Sequence, residues 1–341
     1  IYSIWNKMRS KNLDFDQVYD VRALRVLVSE VRDCYAVLSL VHELWEPIQK
    51  EFDDYILKPL TAETLRVRLL RALEKRDAFL PAWQLMKIGD PVGAIDYCRI
   101  ARNEHPQHLV DFMRLQAELH AGIGQIAEAE TLYREILAAR PIPWASLGLA
   151  RMLVVKKSWV EAEHILTELL ARHDRFIEAY ELLARLREET TRPQEACAAL
   201  QRASELSPYR ITRLRHLGEL ALSAGDPATA ERSLADVVER GKYSEFREPE
   251  DHVRLLQAQL ALHKLADARE TLDDLERGLG RHPKGELCAA IGGALIQAHV
   301  HDHTAAHQSM LSALRNPTRL RDLSVGLRQD LVKACYDQQM R

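Results

Sequence analysis

Glycine is scarce in this 341-residue chain, at 14 residues, against a usual share of roughly 7%. Aromatic residues are few as well, at 6%. A chain this poor in turn formers and in aromatic and β-branched clusters is not a many-stranded sandwich or barrel. Cysteine is rare and scattered: Cys34, Cys98, Cys197, Cys288 and Cys335 make neither a CxxC pair nor a dense framework, so disulfide scaffolds are excluded and a reducing, cytoplasmic setting is expected. No long apolar run exists. The longest uncharged one, Leu287 to Val300, carries Gly292, Gly293, Gln297 and His299, and a bilayer span needs about 20 apolar residues. Neither charge sign dominates, with 47 Lys+Arg against 50 Asp+Glu, so no basic field points to nucleic acid. Motifs of enzyme chemistry are missing too: there is no glycine-rich phosphate loop, no Gly-x-Ser-x-Gly and no His-Glu-x-x-His. The chain starts at Ile1 with no secretory signal pattern, and on that basis a preceding segment is expected.

What is present is helix-forming sequence and a repeat. Leu, Ala, Glu and Arg fill most of the chain after the first sixty residues, which favours α-helix. Seven alanines recur at the start of expected second helices: Ala94, Ala129, Ala162, Ala196, Ala230, Ala268 and Ala306, spaced by 35, 33, 34, 34, 38 and 38 residues. Twelve residues before them lie Ala82, Ala117, Ala150, Ala184, Gly218, Leu256 and Ala294, small in all but one case. Pro106, Pro141 and Pro208 fall twelve residues after three of them, and Gly89, Gly124 and Gly225 mark turns. Two helices of a dozen residues cannot bury their apolar faces alone; stacked pairs can.

The small–x11–small pattern at a period near 34 resembles the tetratricopeptide family from about Phe79 to Leu314. The expected fold is therefore mainly α: a tetratricopeptide-like α-solenoid of about seven helix pairs over 79–317, closed by a capping helix over 318–341, with a small α/β fragment at the N-terminus. The two spacings of 38 predict longer connections around Arg240–Pro249 and Arg277–Gly285. The resemblance implies that first helices line a concave groove holding a protein or peptide partner. Two rows project onto it: Glu118, Arg151, Arg185, Glu219 and Gln257, and four residues earlier Arg114, Leu147, Glu181 and Arg215. Arginines there suit carboxylate or phosphate. The alternative is i,i+4 pairing on a solvated face: Arg114 with Glu118, Glu181 with Arg185, Arg215 with Glu219. A Lys-and-Asn carboxylate clamp is disfavoured, since no Asn occupies either row.

Ahead of the array, Asp54-Tyr55-Ile56-Leu57-Lys58-Pro59 precedes an expected amphipathic helix, Thr61 to Lys75, with Leu65, Leu69, Leu70 and Leu73 on one face. This segment, 52–76, resembles the end of a response-regulator receiver domain, which implies a phosphoryl contact for Lys58 and a bacterial two-component setting. Residues 1–55 contain Tyr19-Asp20-Val21-Arg22-Ala23, Asp33-Cys34-Tyr35 and His42-Glu43-Leu44-Trp45 in order. They are similar to part of the RelA/SpoT (p)ppGpp synthetase domain, which implies Ser3 and Lys7 at an ATP site and Asp20 as a magnesium ligand. The family's Arg-Pro-Lys and Asn-Gly-Tyr-Gln-Ser blocks and its second metal carboxylate are absent. One carboxylate and one lysine cannot position two nucleotides, so no synthetase activity is expected. The two resemblances meet at Phe52–Ile56, through a natural fusion or a sequence joined at a shared motif; the join is the favoured account. Helix 1–11, strand 21–28, helix 32–47 and strand 54–58 are expected there. His299, His301, His303 and His307 cluster at one turn, and the plainer account is polar turn histidines with no metal. The reading that emerges is a protein-interaction module without enzyme activity or cofactor, binding neither nucleic acid nor membrane. The rival is a GTP pyrophosphokinase fragment, inactive as it stands. Oligomeric state is not legible.

Overall fold

A computed structural model of the chain describes residues 62–244, 246–314, 321 and 323–329. The expected elements of residues 1–58 lie outside these. The chain divides into two compact units, 1–68 and 69–341. Of the first, residues 62–68 are described and are helical, with Arg66 on Glu63 at 2.8 Å.

Fourteen of the described α-helices form seven consecutive pairs. They are α1 (Ala62–Lys87) with α2 (Pro91–Glu104), α3 (Leu109–Gly122) with α4 (Ile126–Ala139), and α5 (Pro143–Val155) with α6 (Trp159–Arg172). Then come α7 (Ile177–Glu189) with α8 (Pro193–Leu206), α9 (Ile211–Ala224) with α10 (Pro227–Gly241), α11 (Pro249–Ala261) with α12 (Leu265–Leu279), and α13 (Pro283–His299) with α14 (His303–Leu314). No strand occurs among the described residues.

The repeat sets this geometry atom by atom. Every spaced alanine is the fourth residue of its second helix, and each is between 0% and 3% exposed. The residues twelve earlier are buried on the facing first helix. Smallness is required at that contact, where a Cβ on Gly218 would stand 2.5 Å from Leu234 Cγ, and also between neighbouring pairs, where one on Gly148 would stand 2.4 Å from the Tyr133 ring of α4. Leu256, the one large member of the row, is 1% exposed in a cluster of its own with Leu260, Ala268 and Ile296. Proline opens six of the helices, at Pro91, Pro143, Pro193, Pro227, Pro249 and Pro283, where its missing N–H costs nothing.

The turns inside the pairs are more uniform than their sequences. Each has a residue of positive φ five positions before the alanine: Gly89, Gly124, Lys157, Thr191, Gly225, His263 and His301. In the first, Asp90 N–H donates to the Leu85 carbonyl at 2.9 Å and Gly89 N–H to that of Met86 at 3.1 Å. This satisfies helix-end carbonyls in the way left-handed caps do. The same two bonds recur at Thr191 and Arg192, with Glu188 and Arg187. Only three of the seven turns use glycine, and those three alone are visible as glycine in the sequence.

Three expectations change. The second 38-residue spacing does not lengthen a loop: α12 ends at Leu279 and α13 begins at Pro283, with the extra residues absorbed into a 17-residue helix. The first does, with 242–248 joining α10 to α11. The helix expected to stop at Lys75 runs on to Lys87 through Pro81, and Leu70 and Leu73 on its supposed apolar face are 48% and 43% exposed. Among the residues of this helix whose exposure is described, Ala78, Phe79 and Ala82 are buried, and Phe79 stacks on Phe112 with ring centroids 4.0 Å apart.

Candidate partner-binding face

First helices of neighbouring pairs approach one another at α5–α7, α9–α11 and α11–α13, so they form one face of the array. Two rows of that face, eleven and fifteen residues before the alanines, carry the predicted groove residues. In α3, Arg114 donates to Glu118 at 2.7 Å, both half exposed, and its guanidinium lies 4.9 Å from the Trp144 ring centroid. Arg151 on α5 and Arg185 on α7 are exposed, and neither makes a hydrogen bond or ion pair among the described residues.

The anticipated Glu181–Arg185 pair does not form. Glu181 instead accepts from Arg213 at 2.7 Å. Arg213 is 4% exposed and also donates to the Ser207 carbonyl at 2.7 Å, closing the end of α8. A buried guanidinium demands a counterion, and Glu181 is the nearest carboxylate, so this groove position is spent on structure. The Arg215–Glu219 pair is likewise replaced. Arg215 grips Asp251 of the next pair through two bonds, 2.6 and 2.8 Å, and donates to the Phe246 carbonyl at 2.8 Å. Burial raises the Asp251 carboxyl pKa and Arg215 pulls the other way. Glu219 accepts no side-chain bond among the described residues; burial raises its pKa against the opposing pull of Arg254 and His216. His216 lies 2.9 Å from Glu188.

Sequence reasoning did not single out α11, and the structure does. Its first turns are polar, yet Glu250, Asp251, His252 and Arg254 are only 6%, 4%, 2% and 7% exposed. Glu250 accepts from Lys284 at 2.9 Å and from the Ser324 N–H at 2.8 Å. Burial pushes its carboxyl up, but these two donors prevail and hold it below the ordinary carboxylate value. Leu323 and Leu327 are buried in one cluster with Val253, Leu287, Cys288 and Ile291. The signal available was the row itself: fifteen residues before Ala268 and Ala306 stand Val253 and Ile291, where earlier pairs carry Arg114, Glu181 and Arg215.

Ser3, Lys7, Asp20 and Lys58 lie outside the described residues. Cys98, Cys197 and Cys288 are buried, and burial lifts the thiols of Cys98 and Cys288 to about 11 and about 12, which keeps them unreactive. The His299 ring sits 5.6 Å from that of His263. No described helix is long and apolar enough to cross a membrane.

Comparison with known proteins finds relatives of two kinds. Residues 1–73 match the family described as a region found in RelA / SpoT proteins. Over 59 residues the chain is 52% identical to a GTP pyrophosphokinase of Photobacterium angustum, covering 17% of this chain and 8% of that one. It is 37% identical over 78 residues to a GTP pyrophosphokinase of Myxococcus xanthus, covering 22% and 10%. The chain thus spans about a tenth or less of the length of these curated relatives. The RelA/SpoT match extends through most of the segment that resembles a receiver end. The helical array is similar to the C-terminal part of a TPR repeat-containing protein from Cytophaga hutchinsonii, at a TM-score of 0.54 and 12% identity, over 72% of this chain and all of that one. Its fold is tetratricopeptide-like. A tetratricopeptide repeat protein from Parabacteroides merdae covers 76% of the chain at a TM-score of 0.45.

Proposed function

We propose that the chain is a protein-interaction module, in which the first-helix face of pairs two to four takes an acidic or phosphorylated peptide segment. The observation that carries this reading is the contrast among its charges. Glu118, Glu181 and Arg215 are all engaged within the protein, whereas Arg151 and Arg185 stand exposed on successive first helices with no partner among the described residues. A guanidinium offers planar, charge-assisted bonds to carboxylate or phosphate. Reversing both in an Arg151→Glu, Arg185→Glu variant is expected to abolish capture of acidic partners in a pull-down while leaving the melting temperature unchanged. Unaltered capture would remove those residues from the site.

The RelA/SpoT match over 1–73 favours a second reading, a GTP pyrophosphokinase fragment. With Ser3, Lys7 and Asp20 but with Leu60-Thr61-Ala62-Glu63 where the family's guanine-stacking block should follow Pro59, the segment lacks the groups that position the second nucleotide for pyrophosphoryl transfer. Incubation with ATP, GDP and Mg²⁺ is expected to yield no guanosine tetraphosphate. A two-component setting, with residues 52–76 as a receiver end and Lys58 as its phosphoryl contact, rests on the sequence resemblance at that segment and makes the array an output part.

A further inference from the structure

The two rows of the first-helix face change character along the array. In pairs two to five they read Arg114, Leu147, Glu181 and Arg215, and Glu118, Arg151, Arg185 and Glu219; in pairs six and seven they read Val253 and Ile291, and Gln257 and Leu295. Over this apolar end lies a piece of the chain itself. Leu323 and Leu327, 3% and 1% exposed, share a buried cluster with Val253 and Ile291, which are 0% and 2% exposed. The Ser324 N–H reaches Glu250 at 2.8 Å. The Ser324 hydroxyl accepts from the Leu327 N–H at 3.3 Å, opening a helical turn over 325–329. Gly326 passes so close to α11 that a Cβ there would stand 2.8 Å from an Arg254 nitrogen.

An end cap of a stacked array needs only to cover the last pair. This segment reaches back to Glu250 and Arg254 of the pair before it, along the row that binds partners in the reading above. Leu323, just ahead of the Ser324 cap, and Leu327, in the turn that follows, are buried together against the groove, and apolar anchors four apart are how short amphipathic helices are recognised. We propose that residues 323–329 are a built-in ligand, closing the apolar end of the groove in cis, and that the partner of this end is an amphipathic helical peptide with leucines at i and i+4 on either side of a hydroxyl cap at i+1. The proposal rests on the protein-interaction reading but concerns the opposite, apolar end of the face. Being tethered, the segment competes at an effective concentration on the order of millimolar, so a free peptide binds well only once the segment is released.

The test uses the full-length chain and a fluorescent synthetic peptide of residues 319–333, followed by anisotropy. A Leu323→Asp, Leu327→Asp variant is expected to bind the peptide at least tenfold more tightly than the unaltered chain, and adding Val253→Asp is expected to cancel the gain. Ser324→Pro keeps both leucines and removes the N–H given to Glu250 together with the hydroxyl that accepts from the Leu327 N–H; a smaller gain is expected from it, with an unchanged melting curve, and it decides the matter if the double variant does not fold. Equal binding by the unaltered chain and the folded variants overturns the proposal, as does a concentration-dependent dimer that exchanges the segment. Partner capture through Arg151 and Arg185 is read separately and stands or falls without it.

Discussion

Pairs two to four and pairs six and seven share one frame and treat their first-helix face in opposite ways. In the former, charge is exposed: Arg151 and Arg185 meet solvent and the Arg114–Glu118 pair is half exposed. In the latter, charge is buried: Glu250 is held by Lys284 and the Ser324 N–H, Asp251 by Arg215, and Arg254 lies beneath Gly326. The difference shows that like residues on one repeat scaffold differ in energetic meaning according to what lies over them. An exposed ion pair is screened by water, whereas a covered one cannot lose a partner without stranding the other charge.

The sharpest break in that comparison is Asp251→Ala, expected to cost about 3 kcal/mol in a denaturant titration because Arg215 is left with a mostly buried, unpaired charge; Asp251 is 4% exposed. A loss near zero would place the two ends on equal footing. Next, the frame itself is tested in pairs three and five, where close helix contacts leave no room for a larger side chain. Gly148→Ala and Gly218→Ala are each expected to cost about 2 kcal/mol through overpacking, since their new Cβ atoms meet Tyr133 and Leu234. Thermal melts of both variants check this.

The third prediction runs the other way. Thr191 holds a φ of 58°, a conformation that strains a β-branched residue and suits glycine, so Thr191→Gly is expected to stabilise by about 1 kcal/mol. Glu219 gives a pH-dependent case. Its pKa is raised in the folded state, so its own contribution to stability is fully present below the ordinary carboxylate range and is lost as pH rises through the raised value. Glu219→Gln is therefore expected to melt higher than wild type at neutral pH, with the difference fading once the pH drops below that range. Smallest of all, Glu118→Ala is expected to change stability by about 0.5 kcal/mol or less, the exposed counterpart of Asp251→Ala.

Much of the array is legible in the residues. Ala94 and its six successors fix the pairing, because a close helix contact tolerates only a small side chain at one point per repeat. The glycine turns are legible as well, but Lys157, Thr191, His263 and His301 adopt the same left-handed turn without advertising it, since the helix-end hydrogen bonds outweigh the strain. The candidate site was legible only in part. The rows picked out Arg151 and Arg185, which the structure leaves exposed, but gave no sign that Glu181 would be drawn to Arg213 or Arg215 to Asp251. Those partners lie about 32 and 36 residues away, on the neighbouring pair, beyond any i,i+4 rule.

By itself, the sequence determined that this protein is a series of helix pairs and where each pair begins, because periodic small residues, proline at helix starts and apolar spacing are local properties that carry the fold. Only the tertiary structure decided which charges remain open to a partner and which are closed by the chain's own later residues. Solvent access belongs to what finally packs above a side chain, and that is set by segments remote along the chain.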